Sequence, residues 1–196
     1  QQNVYLIMVV SALIISGGLG FIVWRDLLEY HQKKKMTIHS KIALTVTGTL
    51  LLGGFVVFFF TEHNGATLVE GNMFQRLANT FFMSVTPRTA GYYSVDYLHM
   101  SHAGLILTMF LMYIGGTSGS TAGGLKTTTL GVLLIQMRSM LKGRTRAEAF
   151  GRTIRQGAVL RALTLFFITL TLCVVAIMIL SVTETIPKTS GIEYIA

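Results

Sequence analysis

The chain has 196 residues, of which 52% are hydrophobic and only 12% are charged, and its mean hydropathy is +0.61. An ordinary soluble domain carries about 25% charged residues, so this composition indicates a membrane protein. The net charge of +8 raises the question of nucleic acid, but the charges avoid the apolar stretches and we expect no nucleic-acid partner. The single cysteine, Cys173, excludes a disulfide framework within the chain.

Four stretches are long and uncharged enough to cross about 30 Å of hydrocarbon, which takes roughly 20 helical residues. They are residues 4–24, 42–60, 97–125 and 162–182. The first, second and fourth are predicted to be simple membrane-spanning helices, because buried helices of soluble proteins rarely reach this length without a polar face. The sequence therefore predicts an all-α integral membrane protein.

The distribution of Lys and Arg predicts the orientation in the membrane. Residues 25–41 hold five of the sixteen basic residues and residues 126–161 hold eight, whereas residues 61–97 hold only Arg76 and Arg88. Because basic residues concentrate in cytoplasmic loops, we expect the two basic segments to lie in the cytoplasm, where they also contact membrane lipids. The start of this multi-pass chain is then extracellular or periplasmic.

Residues 70–87 are neither a span nor an ordinary loop. Their apolar residues recur at helical spacing, Asn72 is suited to cap a helix and Pro87 to end it, which predicts a helix of about 13–15 residues. Such a helix is too short to span the membrane and too apolar to lie free in water, which favours a re-entrant helix that enters from outside. An amphipathic helix on the membrane surface is the alternative.

The residues after this helix have the pattern of a potassium filter. A helix that ends inside the membrane points its negative dipole end inward, and non-helical backbone after it exposes carbonyl groups that can replace the water shell of K+. Gly91 permits backbone angles that let consecutive carbonyls point the same way. We therefore predict that K+ binds through backbone carbonyls near Gly91, in the T-x-G-Y tetrapeptide Thr89, Ala90, Gly91 and Tyr92.

The order of span, re-entrant helix, filter and span is that of a potassium-channel repeat, in which the parts are called M1, pore helix and M2. In this chain the second stretch would be M1 and the third would be M2.

A glycine-rich loop interrupts the third stretch, since residues 115–124 hold five glycines and each costs about 1 kcal/mol in a helix interior. We predict that this loop is unwound and either buried in protein or exposed to a water-filled cavity.

A phosphate-binding loop is the soluble interpretation of the same glycines. It is disfavoured because Leu125 precedes Lys126, which misplaces the lysine, and because no strand comes before the loop.

With these segments the sequence resembles the Trk/Ktr/HKT superfamily of potassium transporters, most closely the Ktr-type membrane subunit. The resemblance rests on residues 86–92 and 115–129, with support from residues 13–21. It implies four M1-pore helix-M2 repeats in one long chain, each with a filter glycine, and a broken inner helix in the third repeat. The sequence, which begins at Gln1 without Met, is then expected to be part of a longer protein.

The resemblance implies a division of the chain into three parts. Residues 1–41 would be the inner helix of the preceding repeat with its cytoplasmic loop. Residues 42–143 would be a complete repeat with its filter and gate loop. Residues 144–196 would be a cytoplasmic linker and the first helix of the next repeat.

The resemblance also implies potassium uptake across a bacterial inner membrane, with no enzymatic reaction and no covalent cofactor. K+ would be the transported ion, and Na+ is a candidate activator. The implied partners are a second copy of the chain in a homodimer and a cytoplasmic nucleotide-binding regulatory subunit of the RCK/KTN type. The basic residues 138–155 are a candidate contact for that subunit.

In this interpretation the glycine-rich loop is the gate below the filter. Its hydroxyls at Ser118, Ser120 and Thr121 would hydrogen-bond the loop shut across the cavity. Lys126 would anchor the loop, repel cations, or extend to the inner membrane interface. The expected gate residues are Gly115, Gly116, Ser118, Gly119, Ser120, Thr121, Gly123, Gly124 and Lys126.

A secondary cation transporter with discontinuous helices is the main alternative, because it also uses unwound glycine-rich backbone at the membrane midplane. Ion-dependent conductance and a filter-type selectivity series would distinguish a pore from such a carrier. A non-transporting membrane scaffold gives no reason for the filter-like turn. Hydrolytic chemistry finds little support, because the five histidines and eight acidic residues are scattered along the chain.

Overall fold

The computed structural model describes residues 3–62, 73–88, 90–92, 100–144 and 146–183. The described residues form six α-helices and one two-stranded antiparallel hairpin. In chain order these elements are α1 (Val4–Lys33), α2 (Ile38–Thr61), α3 (Met73–Val85), α4 (His102–Tyr113), α5 (Thr127–Leu141), β1 (Glu148–Ala149), β2 (Arg152–Thr153) and α6 (Gln156–Thr183). The predicted all-α membrane fold is confirmed, and the short hairpin is its one addition within these residues.

Three of the described helices, α1, α2 and α6, are long and apolar enough to cross a membrane. These three correspond to the first, second and fourth predicted spans. α1 continues beyond Trp24, where the first span was predicted to end, as far as Lys33. A helix does not have to stop where the hydrocarbon stops, because its backbone hydrogen bonds are internal and its charged residues can lie in the interfacial region.

A buried carboxylate holds the short connection between α1 and α2. Asp26, near the end of α1, accepts hydrogen bonds from the Thr37 backbone N–H at 3.2 Å, the Thr37 hydroxyl at 2.5 Å and the Ser40 hydroxyl at 2.6 Å. Thr37 also caps α2, because its side chain accepts from the backbone N–H of Ser40. Lys34 adopts the left-handed conformation at the end of α1. These contacts fix the turn that reverses the chain.

α3 packs against both of the first two helices. Ala78 and Phe82 contact Ile7 of α1, and Met83 contacts Phe58 of α2. Its 13 residues agree with the predicted length, although the expected cap Asn72 lies outside the described residues. The last four residues of α3 are buried, so the helix ends among other helices, which favours the re-entrant interpretation over a helix on the membrane surface.

The third apolar stretch is a broken helix rather than a single span. α4 ends at Tyr113, the glycine-rich loop occupies residues 114–126, and α5 begins at Thr127. The prediction of an unwound segment here is therefore confirmed.

At the other end of α4, the fully buried Glu62 accepts hydrogen bonds from the Ser101 N–H at 3.2 Å and the Ser101 hydroxyl at 2.5 Å. Glu62 thereby ties the end of α2 to the start of α4.

Candidate functional site

The filter turn, residues 86–92, follows α3 directly. The Ala90 N–H donates to the Thr86 carbonyl at 3.3 Å, and the Thr86 hydroxyl donates to the Tyr92 carbonyl. Gly91 has φ of +72°, in the left-handed region that favours glycine. The sequence therefore correctly assigned special backbone freedom to Gly91. Thr89, the first residue of the predicted tetrapeptide, lies outside the described residues.

Arg88 braces the filter turn against α2. Its guanidinium donates to the Thr47 backbone carbonyl at 3.4 Å, and its own N–H donates to the Val85 carbonyl at 3.3 Å. The side chain is only partly exposed. Sequence reasoning did not identify this contact between Arg88 and α2.

The glycine-rich loop leaves α4 and returns beside its own start. The Gly115 N–H donates to the Leu125 carbonyl at 2.9 Å, and the Leu125 N–H donates to the Tyr113 carbonyl at 3.0 Å, which makes a short parallel bridge. A Cβ atom added to Gly115 would lie 1.6 Å from the Gly123 carbonyl oxygen. The two ends of the loop can therefore meet only because glycine occupies this position.

Side chains of the loop bond to the loop itself and to α5. Ser118 lies 3.0 Å from the hydroxyl of Thr128 on α5, and the Ser120 hydroxyl donates to the Thr117 carbonyl at 2.7 Å. Both serines were expected to bond across the cavity. Ser118 instead bonds to the first turn of α5, and Ser120 bonds within the loop.

Lys126 closes the base of the loop. Its ammonium group donates to the Ala122 carbonyl at 2.5 Å, which favours the anchoring role among the three considered for this lysine. The loop also contains two glycines with positive φ, Gly119 at +86° and Gly124 at +70°, at which a side chain would be strained.

The loop is bound to α1 at a bend that the sequence did not reveal. Gly20 has φ of +67° and ψ of 157° inside α1, which interrupts the ladder of helical hydrogen bonds. The fully buried Thr117 binds next to this bend. Its N–H donates to the Gly18 carbonyl at 2.9 Å, and its hydroxyl donates to the Leu19 carbonyl at 2.5 Å. The bend thus supplies acceptors for the loop.

The backbones of α1 and the loop are in direct contact at the bend. The Phe21 N–H donates to the Gly119 carbonyl at 3.4 Å. A Cβ atom added to Gly20 would lie 2.7 Å from backbone atoms of both Gly119 and Ser120. Gly20 therefore serves two purposes, because it permits the bend and leaves room for the loop.

The filter turn, the loop and α1 surround one cleft of about 390 Å³. Its lining residues are Val10, Leu13, Ile14, Gly17, Gly18, Arg88, Ala90, Tyr92, Thr121 and Ala122. The two predicted sites therefore face the same space, although about thirty residues separate them in the sequence. Among the predicted site residues that the structure describes, Ala90, Tyr92 and Thr121 line this cleft. The remaining ones do not line it.

Comparison with known proteins gives a consistent result. Residues 1–190 match the family described as TrkH, cation transport protein. The chain is 82% identical over 196 residues to the potassium/sodium uptake protein NtpJ of Enterococcus hirae, covering all of this chain and 44% of that protein. It is 34% identical over 183 residues to the Ktr system potassium uptake protein B of Bacillus subtilis, covering 92% of this chain and 41% of that protein.

A solved structure supports the fold. The crystal structure of the potassium transporter TrkH from Vibrio parahaemolyticus matches with a TM-score of 0.69 at 16% identity, covering 94% of this chain and 41% of that one. The chain thus spans less than half the length of each of these relatives. Their names describe transport proteins rather than enzymes, in agreement with the sequence prediction.

Proposed function

Because the chain belongs to the TrkH family of cation transport proteins, we propose that it forms part of a potassium uptake pore in a bacterial inner membrane. The filter turn contributes one strand of the selectivity filter, with K+ bound by backbone carbonyls of residues 89–92. The glycine-rich loop is the gate of the same pathway. The observation that carries this proposal is the shared cleft, because residues of both the filter turn and the loop line it.

The chemistry of the cleft favours backbone ligands for the ion. Its described lining contains no carboxylate, so a cation there would be bound by carbonyl and hydroxyl oxygens. α3 ends immediately before the filter turn and directs the negative end of its dipole toward it. The left-handed angle at Gly91 changes the direction of the backbone where carbonyls would have to converge.

The contacts at the α1 bend hold the loop in a closed position with a free energy that is small enough for a regulatory partner to offset. Three hydrogen bonds join α1 to the loop: two from Thr117 and one from Phe21 to the Gly119 carbonyl. At a net value of about 1 kcal/mol each, they contribute about 3 kcal/mol to closure. Allosteric coupling between sites is typically about 1–3 kcal/mol, so these three bonds are of the size that binding of a regulatory partner can offset.

The complete transporter is proposed to have further partners. We infer that K+ is transported, that Na+ is an activator, and that the protein is a homodimer with a cytoplasmic nucleotide-binding subunit of the RCK/KTN type. The names of the two relatives support the ions and the Ktr assignment. The basic residues 138–155, which the charge bias places in the cytoplasm, are the proposed contact for the subunit. Charge reversal at Arg146, Arg152 and Arg155, the basic residues of this segment that do not line the groove described below, should abolish regulator binding.

The filter assignment is tested by tracer rubidium uptake in cells that lack their own potassium uptake and express the full parent chain. Gly91→Ser should weaken uptake and reduce the preference for K+ over Na+. Gly53→Ser is the control, because a Cβ atom at either glycine would meet nothing within 4 Å and Gly53 lies in the continuous helix α2, outside the filter turn. Equal uptake and selectivity for both variants and the unaltered protein would contradict the filter and favour a carrier.

A further inference from the structure

A second cavity lies away from the ion pathway, between α2 and α5. It is a groove of about 570 Å³ that we call the interface groove. Apolar side chains form most of its length, and charged side chains surround its mouth near the end of α5. The apolar lining includes Ile42, Val46, Leu50, Leu130, Leu134 and Ile135, and the charged lining comprises Arg138, Lys142, Arg144 and Glu148.

The apolar part of the groove is long enough to hold part of an acyl chain. Along α2 it extends from Ile42 to Leu50, about 12 Å at the helical rise of 1.5 Å per residue. A Cβ atom added to Gly131 would lie 2.4 Å from the Ile42 side chain, so α2 and α5 touch there and form a continuous wall. The Thr49 hydroxyl donates to the Thr45 carbonyl within α2, which satisfies that donor. The interior of the groove therefore suits an apolar occupant.

The mouth of the groove carries an excess of positive charge. Arg144 pairs with Glu148 at 2.7 Å, and Glu148 is the one acidic residue among the described residues that line the groove. Arg138 and Lys142 add two further positive charges. Lys41 lies close by, with its ammonium 5.6 Å from the ring centroid of Phe150. An anionic group is thus favoured at the mouth and an apolar chain inside.

We propose that the interface groove binds an anionic phospholipid, with its phosphate at Arg138 and Lys142 and one acyl chain between α2 and α5. Basic pockets between membrane helices on the cytoplasmic side bind lipid headgroups of this kind. A free phosphate would bind the basic residues at the mouth and leave the apolar lining of the groove unexplained. A protein partner bound through the exposed charges alone would leave the apolar lining from α2 and α5 unexplained. The lipid accounts for both features.

The test is native mass spectrometry of the full parent chain in detergent, titrated with phosphatidylglycerol or phosphatidylcholine. The double variant Arg138→Gln/Lys142→Gln should bind phosphatidylglycerol about 30-fold more weakly, since each basic residue near an anionic headgroup contributes roughly five- to sixfold. The control Lys34→Gln/Lys35→Gln removes the same charge from two exposed residues outside the groove and should retain its affinity. Arg138 and Lys142 are also exposed, so their replacement should leave folding intact.

A second variant tests the acyl-chain part separately. Leu134→Trp fills the slot and keeps every charge, and it should also weaken phosphatidylglycerol binding. Equal binding of the two lipids, or unchanged binding by both groove variants, would overturn the proposal. Competition by inorganic phosphate alone would show an anion site without a lipid. Loss of regulatory-subunit binding with lipid binding unchanged would assign these residues to a protein contact instead.

Discussion

α2 and the broken third stretch both contain several glycines, yet one is continuous and the other is interrupted. In α2, a Cβ atom at Gly48 or Gly53 would meet nothing within 4 Å, and the helix runs without a break for 24 residues. In the loop, a Cβ atom on Gly115 would lie 1.6 Å from backbone, and one on Gly116 would lie 2.7 Å from the Gly18 carbonyl oxygen. Glycine content alone therefore does not break a membrane helix.

The difference lies in what the glycines contact. The glycines of α2 border open space or side chains, so the backbone there keeps its helical hydrogen bonds. Those of the loop permit contact between two backbones, which replaces the lost helical bonds with bonds to α1 and to the loop's own base. Substitutions that add one methyl group should therefore have very different effects in the two regions.

The largest effect is expected for Gly115→Ala. The added Cβ atom would overlap a backbone oxygen, which no side-chain rotation can relieve. We expect thermal unfolding in detergent to show that the free energy of unfolding falls by about 3 kcal/mol or more. This is the upper end of the range for overpacked sites. Retention of normal stability would show that the bridge at the base of the loop is not formed.

Gly20→Ala should have the next largest effect. Its positive φ and its contact with the loop backbone together predict a cost of about 2 kcal/mol and displacement of the loop. Rubidium should then leak through the full parent chain without its regulator. Gly53→Ala in α2 is the control, because a Cβ atom there meets nothing within 4 Å and Gly53 does not line the cleft, so this variant should not leak. Identical leak rates in the two variants would argue against the bend as the loop's binding site.

A smaller change is expected for Lys126→Gln. Its hydrogen bond to the Ala122 carbonyl closes the base of the loop, and the shorter neutral side chain should weaken closure by about 1 kcal/mol. Flux measurements without the regulator should therefore show a moderate increase. An unaltered flux would support the alternative in which this lysine extends to the membrane interface.

The smallest effect is expected for Gly48→Ala in α2. The methyl group enters open space and alanine favours the helix, so stability should rise by up to about 1 kcal/mol and flux should stay unchanged. Thermal unfolding measures the first quantity and rubidium uptake the second. A clear destabilisation would mean that another part of the longer protein packs against this glycine.

Local sequence signals predicted most of the fold. Long apolar runs identified α1, α2 and α6, the helical spacing before Pro87 identified α3, and clustered glycines identified the unwound loop. Each of these features depends on residues that are close together in the chain. The predicted span 4–24 is shorter than α1, which ends at Lys33, because hydropathy reports the membrane boundary rather than the end of the helix.

The bend at Gly20 and the role of Thr117 could not be predicted in this way. The hydroxyl of Thr117 bonds to a carbonyl 98 residues earlier, and no local pattern reports such a contact. From the sequence, residues 13–21 supported the family resemblance alone, and glycines in membrane helices usually serve helix contacts rather than bends. The one local signal was the position of Thr117 among glycines. It did not distinguish Thr117 from the neighbouring hydroxyl residues as the one that bonds to another helix.

The central claim is that the loop blocks an ion pathway while Thr117 holds it on α1. The most direct test is tracer rubidium flux into proteoliposomes containing the full parent chain without its regulator, comparing Thr117→Val with Thr117→Ser. Valine keeps the shape but removes the hydroxyl, which leaves the Leu19 carbonyl without this donor, so flux should rise about tenfold. Serine should restore the basal flux. A flux for the valine variant equal to or below that of the unaltered protein would contradict the claim.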